Sequence, residues 1–102
     1  MENLVTYYHG TDTADQVLEA IVGSGKLRNG FHLTHDIKIA RAYGSKVVKV
    51  MLEKGLTKAR VSTINKEGNF NPVTGNSVET VLETPAAINE LYSNLWDAEL
   101  VA

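Results

Sequence analysis

The chain has 102 residues, enough for one domain and too few for two, so a single domain over residues 1–102 is expected. Hydrophobic residues at 43% and charged residues at 22% are ordinary for a soluble globular protein. The net charge of -2 excludes a general electrostatic pull toward nucleic acid or anionic membrane, and the absence of cysteine excludes disulfides and thiolate catalysis.

The N-terminus lacks the basic, apolar, small-residue order of a secretory signal. No apolar run approaches the roughly 20 residues of a spanning helix, so a cytoplasmic protein without membrane contact is expected. Lys46, Lys49, Lys54, Lys58 and Arg60 fall close together and read as solvated surface charge.

Leu4 to Tyr8 is a β-type run of branched and aromatic residues that delivers His9-Gly10-Thr11 at its end. Thr11, Asp12 and Thr13 compete to cap the next element. There Ala14, Val17, Leu18, Ile21 and Val22 recur at helical spacing until Gly23-Ser24-Gly25 stops them. Gly30 to Thr34 reads as a short strand with His32 on the face opposite Phe31 and Leu33. Gly30, lacking a Cβ, is expected to let a backbone approach closely. Asp36 or Thr34 caps a helix from Ile37, and Gly44 is placed to end it.

Val48, Val50 and Leu52 then share one face of a strand that starts at Lys46, with Val47, Lys49 and Met51 on the other. Lys58 to Thr63 is a weaker signal, an edge strand or a loop. Asn65 to Asn76 is dense in Gly, Asn and Pro and reads as the one clear loop, either functional or a plain surface excursion. Ser77 to Glu83 alternates as a strand, with Glu79, Val81 and Glu83 on one face. Pro85 opens a helix carrying Ile88, Leu91, Tyr92 and Leu95 at helical spacing. Trp96 is expected to plug the core, and Leu100-Val101 to add a last edge pairing.

His9, His32 and Glu79 are the polar residues at strand ends that can carry chemistry. Imidazole donates, accepts or carries charge near neutral pH, and a carboxylate holds a hydroxyl or takes its proton. Each also has a plain reading: His9 as a turn residue, His32 as a hydrogen-bonded partly buried histidine, Glu79 as a solvent-facing strand residue. A metal site is not expected, because no tight ligand spacing is present and His35 sits across a strand-to-helix junction from His32.

Tyr8-His9-Gly10-Thr11, then Gly30-Phe31-His32-Leu33-Thr34, a helix with Ala40 and Tyr43 and a Val-rich strand resemble the ADP-ribosyltransferase superfamily. The match covers about residues 5 to 52 and extends loosely to Ser77–Pro85. The resemblance implies a small α+β fold, a split β-sheet with two or three helices around an NAD cleft. It implies that His9 and Gly10 orient NAD, with Thr11, Thr34 and Tyr43 lining its site. His32 stands where the family usually has a nicotinamide-stacking tyrosine, so the resemblance implies that it stacks on or near nicotinamide. Glu79, in Val78-Glu79-Thr80-Val81-Leu82, matches the glutamate that holds the nicotinamide-ribose hydroxyl, with Glu83 as backup.

A histidine at position 32 with Arg28 four residues before it also resembles the RNA 2′-phosphotransferase branch, as does Asn76-Ser-Val-x-x-Val-Leu-x-Thr-Pro85. Arg28 is then expected on the pyrophosphate or on an acceptor phosphate. The implied reaction is transfer of ADP-ribose from NAD to a macromolecular acceptor, a protein before a nucleic acid, releasing nicotinamide. The alternatives are a non-catalytic inhibitor or adaptor of phage or mobile-element type, and processing of an RNA 2′-phosphate.

Overall fold

The computed structural model describes residues 3–65 and 76–101, and the interior of the Asn65 to Asn76 loop lies outside them. Elements run β1 (Val5–Thr11), α1 (Ala14–Leu18), β2 (Phe31–Leu33), α2 (Ile37–Arg41), β3 (Lys46–Leu52), β4 (Arg60–Asn65), β5 (Asn76–Leu82), α3 (Pro85–Asn94) and β6 (Leu95–Val101). The fold is α+β. Two three-stranded antiparallel sheets, β1-β3-β6 and β2-β5-β4, meet where β1 passes β2. Tyr8 and Thr34 exchange backbone bonds there, Tyr8 N–H to Thr34 O at 2.6 Å and Thr34 N–H to Tyr8 O at 2.9 Å. The sheets part on either side of that bridge, and a cleft opens between them.

One apolar cluster draws on both sheets. Tyr7, Val48, Val50 and Leu52 come from the first and Leu33 and Leu82 from the second. Ala14 and Ile21 cover them from one helix, and Ala87, Ile88 and Leu91 from another. Each fully buried leucine contributes about 2 kcal/mol of transfer free energy. Two tyrosine hydroxyls pin the connecting segments to this core. Tyr7 Oη accepts from Leu56 N–H at 3.0 Å, while Tyr92 Oη accepts from Leu27 N–H at 3.2 Å and donates to Ala20 O at 2.7 Å.

Several local expectations are met with changes of detail. Asp36 caps α2 by accepting from Lys38 N–H at 2.9 Å, and Thr84 caps α3 by accepting from Ala87 N–H at 3.2 Å. The first helix is α-helical only to Leu18, then widens into a π-helical turn over Glu19–Gly23. Thr13 sits at its N-cap without a side-chain cap bond, and Asp12 instead accepts from Ser45 N–H at 2.7 Å. β1 does not stop at Tyr8 but continues through His9, Gly10 and Thr11, which pair with Val48, Val47 and Lys46.

Two apolar residues expected inside are outside. Val22 is 53% exposed, at the π-helical turn, and Trp96 is 50% exposed, just past the turn from α3 into β6. The helical spacing that would carry Trp96 inward ends at Asn94, where the chain becomes extended. Gly30 also differs from expectation: a Cβ there would meet nothing within 4 Å, and its need for glycine is its φ of +93°. The close approach is at Gly10. A Cβ there would collide with the Ala40 carbonyl oxygen and lie 2.7 Å from its carbon, because α2 crosses directly over β1.

Candidate functional site

Register decides which side chains meet. Directly opposed residues on antiparallel strands point to the same face. His32 opposes Val81 on β5, so Glu79, two residues from Val81, shares its face. The Tyr8–Thr34 bridge joins that face to the side of β1 that carries Gly10, where α2 packs. The result is a cavity of about 340 Å³ lined by Tyr8, His9, Gly10, His32, Leu33, Thr34, Ala40, Tyr43 and Glu79. Its size is in the range of small-ligand sites.

Three residues far apart in the chain are hydrogen-bonded in series. His32 Nδ1 lies 2.7 Å from Glu79 Oε1, and His9 Nδ1 lies 2.6 Å from the backbone oxygen of His32. Carbonyl and carboxylate oxygens only accept, so each imidazole carries its proton on Nδ1 and leaves Nε2 for a ligand. The His9 ring also stacks on Phe31, with centroids 4.1 Å apart and planes 20° apart. Burial holds its pKa below the ordinary 6.5. The hydrogen bond to His32 O pulls upward without prevailing, the His32 ring adds to the lowering, and Glu79 opposes it.

Glu79 is buried on β5, the central strand of its sheet. Its side chain is 5% exposed, against 53% for that of His32. Its second neighbour is Tyr43, which follows α2 and is 49% exposed. Burial first, then the hydrogen bond to Glu79 and the charge of its carboxylate, push the Tyr43 pKa up to about 12. The carboxylate therefore stands between an imidazole and a phenol, each about half exposed. The plain reading of Glu79 as a solvent-facing residue is overturned.

The other expected residues divide. Thr34 is buried in the cavity wall, where its hydroxyl also accepts from Asp36 N–H at 3.1 Å. Thr11 and Arg28 are not in that wall. They line an adjoining groove with Thr13, Gln16, Lys26 and Asn29, and His9 and His32 border both spaces. Thr11 Oγ1 is engaged locally, accepting from Thr13 N–H at 3.0 Å. Glu83 is exposed and paired with Arg60 at 2.8 Å, outside the cavity lining. Sequence reasoning missed Tyr8 and Leu33 as lining residues; the Tyr8–Thr34 bridge that places them pairs residues 26 apart in the chain.

His35 forms the counterpart of the His9 contact. Its Nδ1 lies 2.9 Å from Thr6 O, and its ring tilts against Tyr7 with centroids 4.3 Å apart. The two histidines thus clasp β1 and β2 from both sides of the bridge. Among the described residues no three His, Asp or Glu side chains are grouped to hold a metal ion, and no helix is long and apolar enough to cross a membrane.

Fold and site together define a small α+β protein with a two-histidine, one-carboxylate cleft between paired sheets. Comparison with protein-family models, curated proteins and solved structures finds no significant match to this chain.

Proposed function

We propose that this protein transfers ADP-ribose from NAD to a macromolecular acceptor with release of nicotinamide. The observation that supports this reading is the meeting of His9, His32 and Glu79, from three different strands, around one cavity. The cavity suits the nicotinamide-ribose end of the dinucleotide. Its walls offer the Tyr43 ring as an apolar surface for a flat heterocycle and the Glu79–His32 pair as polar groups for a ribose. The adjoining groove brings Lys26 and Arg28 together with no carboxylate among the described residues of its lining, which suits the pyrophosphate and the rest of the molecule.

In this reading Glu79 supplies fixed negative charge near the ribose, where positive charge develops as the glycosidic bond to nicotinamide lengthens. His9, uncharged through burial, offers Nε2 as an acceptor for a ribose hydroxyl without repelling the pyridinium ring. The test is nicotinamide release from NAD, measured alongside NAD affinity. Glu79→Gln is expected to abolish release and leave affinity largely unchanged; an unaltered rate removes Glu79 from the chemistry. A wild-type chain that neither binds NAD nor releases nicotinamide leaves the non-catalytic inhibitor or adaptor as the reading.

The Lys26–Arg28 groove supports one further reading, since it suits an RNA 2′-phosphate as well as a pyrophosphate. Appearance of ADP-ribose cyclic phosphate from a 2′-phosphorylated RNA and NAD would favour it.

A further inference from the structure

We infer that the acceptor is a neutral hydroxyl and that His32, oriented by Glu79, is the base that removes its proton. The inference rests on the transfer reading above and adds the chemical class of the second substrate. It comes from the unequal placement of two hydrogen-bonded groups. Glu79 is sealed at 5% exposure with Oε1 on His32 Nδ1 and the Tyr43 hydroxyl as its other neighbour, whereas the His32 side chain is 53% exposed at the junction of cavity and groove. A carboxylate so enclosed meets an acceptor arriving along the groove through the imidazole, because His32 borders both spaces while Tyr43 lines the cavity alone. It fixes the ring, holds the proton on Nδ1 and stabilises the imidazolium that forms when Nε2 takes a second proton.

The charges around His32 select among acceptors. Facing it are Glu79 on β5 and Tyr43 after α2, with Glu83 and its partner Arg60 farther along the same sheet face, while the His9 ring, stacked on Phe31 on the other face of β2, acts on it at a distance through its charge. Lys26 and Arg28 stand in the groove beside it. A guanidinium or ammonium acceptor needs an open carboxylate and would instead meet imidazoles and two cations. A phosphate or carboxylate acceptor already presents a negatively charged oxygen that can attack and gains nothing from a base. A hydroxyl needs its proton removed and carries no charge to be repelled.

The step balances. The bond between the ribose C1′ and the nicotinamide ring nitrogen breaks, and its electron pair stays on that nitrogen. The acceptor oxygen bonds to C1′ and its proton passes to His32 Nε2, from which water takes it. One proton is released per nicotinamide.

The experiment gives wild type, His32→Gln and Glu79→Gln NAD with methanol, agmatine or inorganic phosphate as acceptor probes. NAD affinity, nicotinamide release and the ADP-ribosylated products are followed across the neutral pH range. Methanol is expected to form a methyl glycoside while agmatine and phosphate form no adduct. The wild-type rate should rise with pH and level off. His32→Gln should lower the methanol rate by about 100-fold or more and flatten that profile while NAD affinity falls by about a few fold only, and circular dichroism reports that the variant is folded. Glu79→Gln should abolish turnover with every probe while leaving NAD affinity largely unchanged. A His32→Gln variant that binds NAD and turns over at the wild-type rate, or preferential capture of agmatine or phosphate, overturns the inference and leaves the transfer reading standing. Failure of wild type to bind NAD overturns both.

Discussion

Gly10→Ala tests the packing on which the cleft depends. The added methyl would collide with the Ala40 carbonyl oxygen, lie 2.7 Å from its carbon and 3.2 Å from Tyr43 Cβ. Two of these three neighbours are backbone atoms of α2, which cannot rotate away as a side chain would. The helix must retreat by about an ångström or more, drawing Ile39 and Ala40 out of contacts that now leave them 3% and 1% exposed. Over-packing of this kind costs roughly 3 kcal/mol. For a domain of this size each kcal/mol lowers the melting temperature by about 4–8 °C, so a fall of roughly 12–24 °C is expected. The control is Gly25→Ala, where φ is +71° and nothing lies within 4 Å of the new methyl, so the cost is about 1 kcal/mol of backbone strain alone. Thermal unfolding followed by circular dichroism compares the two. A Gly10→Ala variant that melts no lower than Gly25→Ala refutes the crossing of α2 over β1. The glycine would then be free to be explained by ligand contact alone.

Other expectations follow from the same contacts. Because burial holds the His9 pKa below 6.5, the unfolded chain takes up that proton first as pH falls. Stability from this group is therefore complete above about pH 6.5 and declines as pH falls through the folded value. Melting temperatures at several pH values should show a steeper acid decline in wild type than in His9→Gln. Tyr43, pushed up to about 12, should ionise well after an exposed tyrosine in an ultraviolet pH titration, and Glu79→Gln should bring its transition lower. Leu91→Ala, at a fully buried position of α3, should cost roughly 2–5 kcal/mol in urea unfolding. Glu90 accepts from Thr57 N–H at 2.9 Å, Thr57 Oγ1 at 2.6 Å and Lys58 N–H at 2.8 Å. Burial alone would raise the Glu90 pKa, but these donors together hold it below the ordinary value. Glu90→Ala should speed hydrogen exchange at amides 57 and 58 and, after solvent screening, cost about 1 kcal/mol; unchanged exchange would remove the clamp.

The elements that could be read from the chain are those whose cause is local. A carboxylate one residue before Ile37 caps α2, Thr84 followed by Pro85 starts α3, and the alternation of Val48, Val50 and Leu52 marks the inner face of β3. The candidates His9, His32 and Glu79 were legible as polar residues at or near strand ends beside a glycine or a turn. Their plain readings were equally legible, and nothing local chose between them. Trp96 shows the limit from the other side. Its hydrophobicity suggests the core, but a helix that becomes a strand at Leu95 leaves it half exposed.

Residue order alone marked the succession of strands and helices except at β4, which read as an edge strand or a loop, and β6, whose start at Leu95 was read as helix, because periodicity, caps and breakers act over a few neighbours. Tertiary structure alone decided which faces meet. The Tyr8–Thr34 bridge and the opposition of His32 to Val81 are register facts, and a shift of one residue in the β2–β5 pairing would put His32 and Glu79 on opposite faces. The same register buries Glu79, leaves His32 open and sets Gly10 beneath Ala40, so both the chemistry of the cleft and the room for it come from strand pairing across the chain.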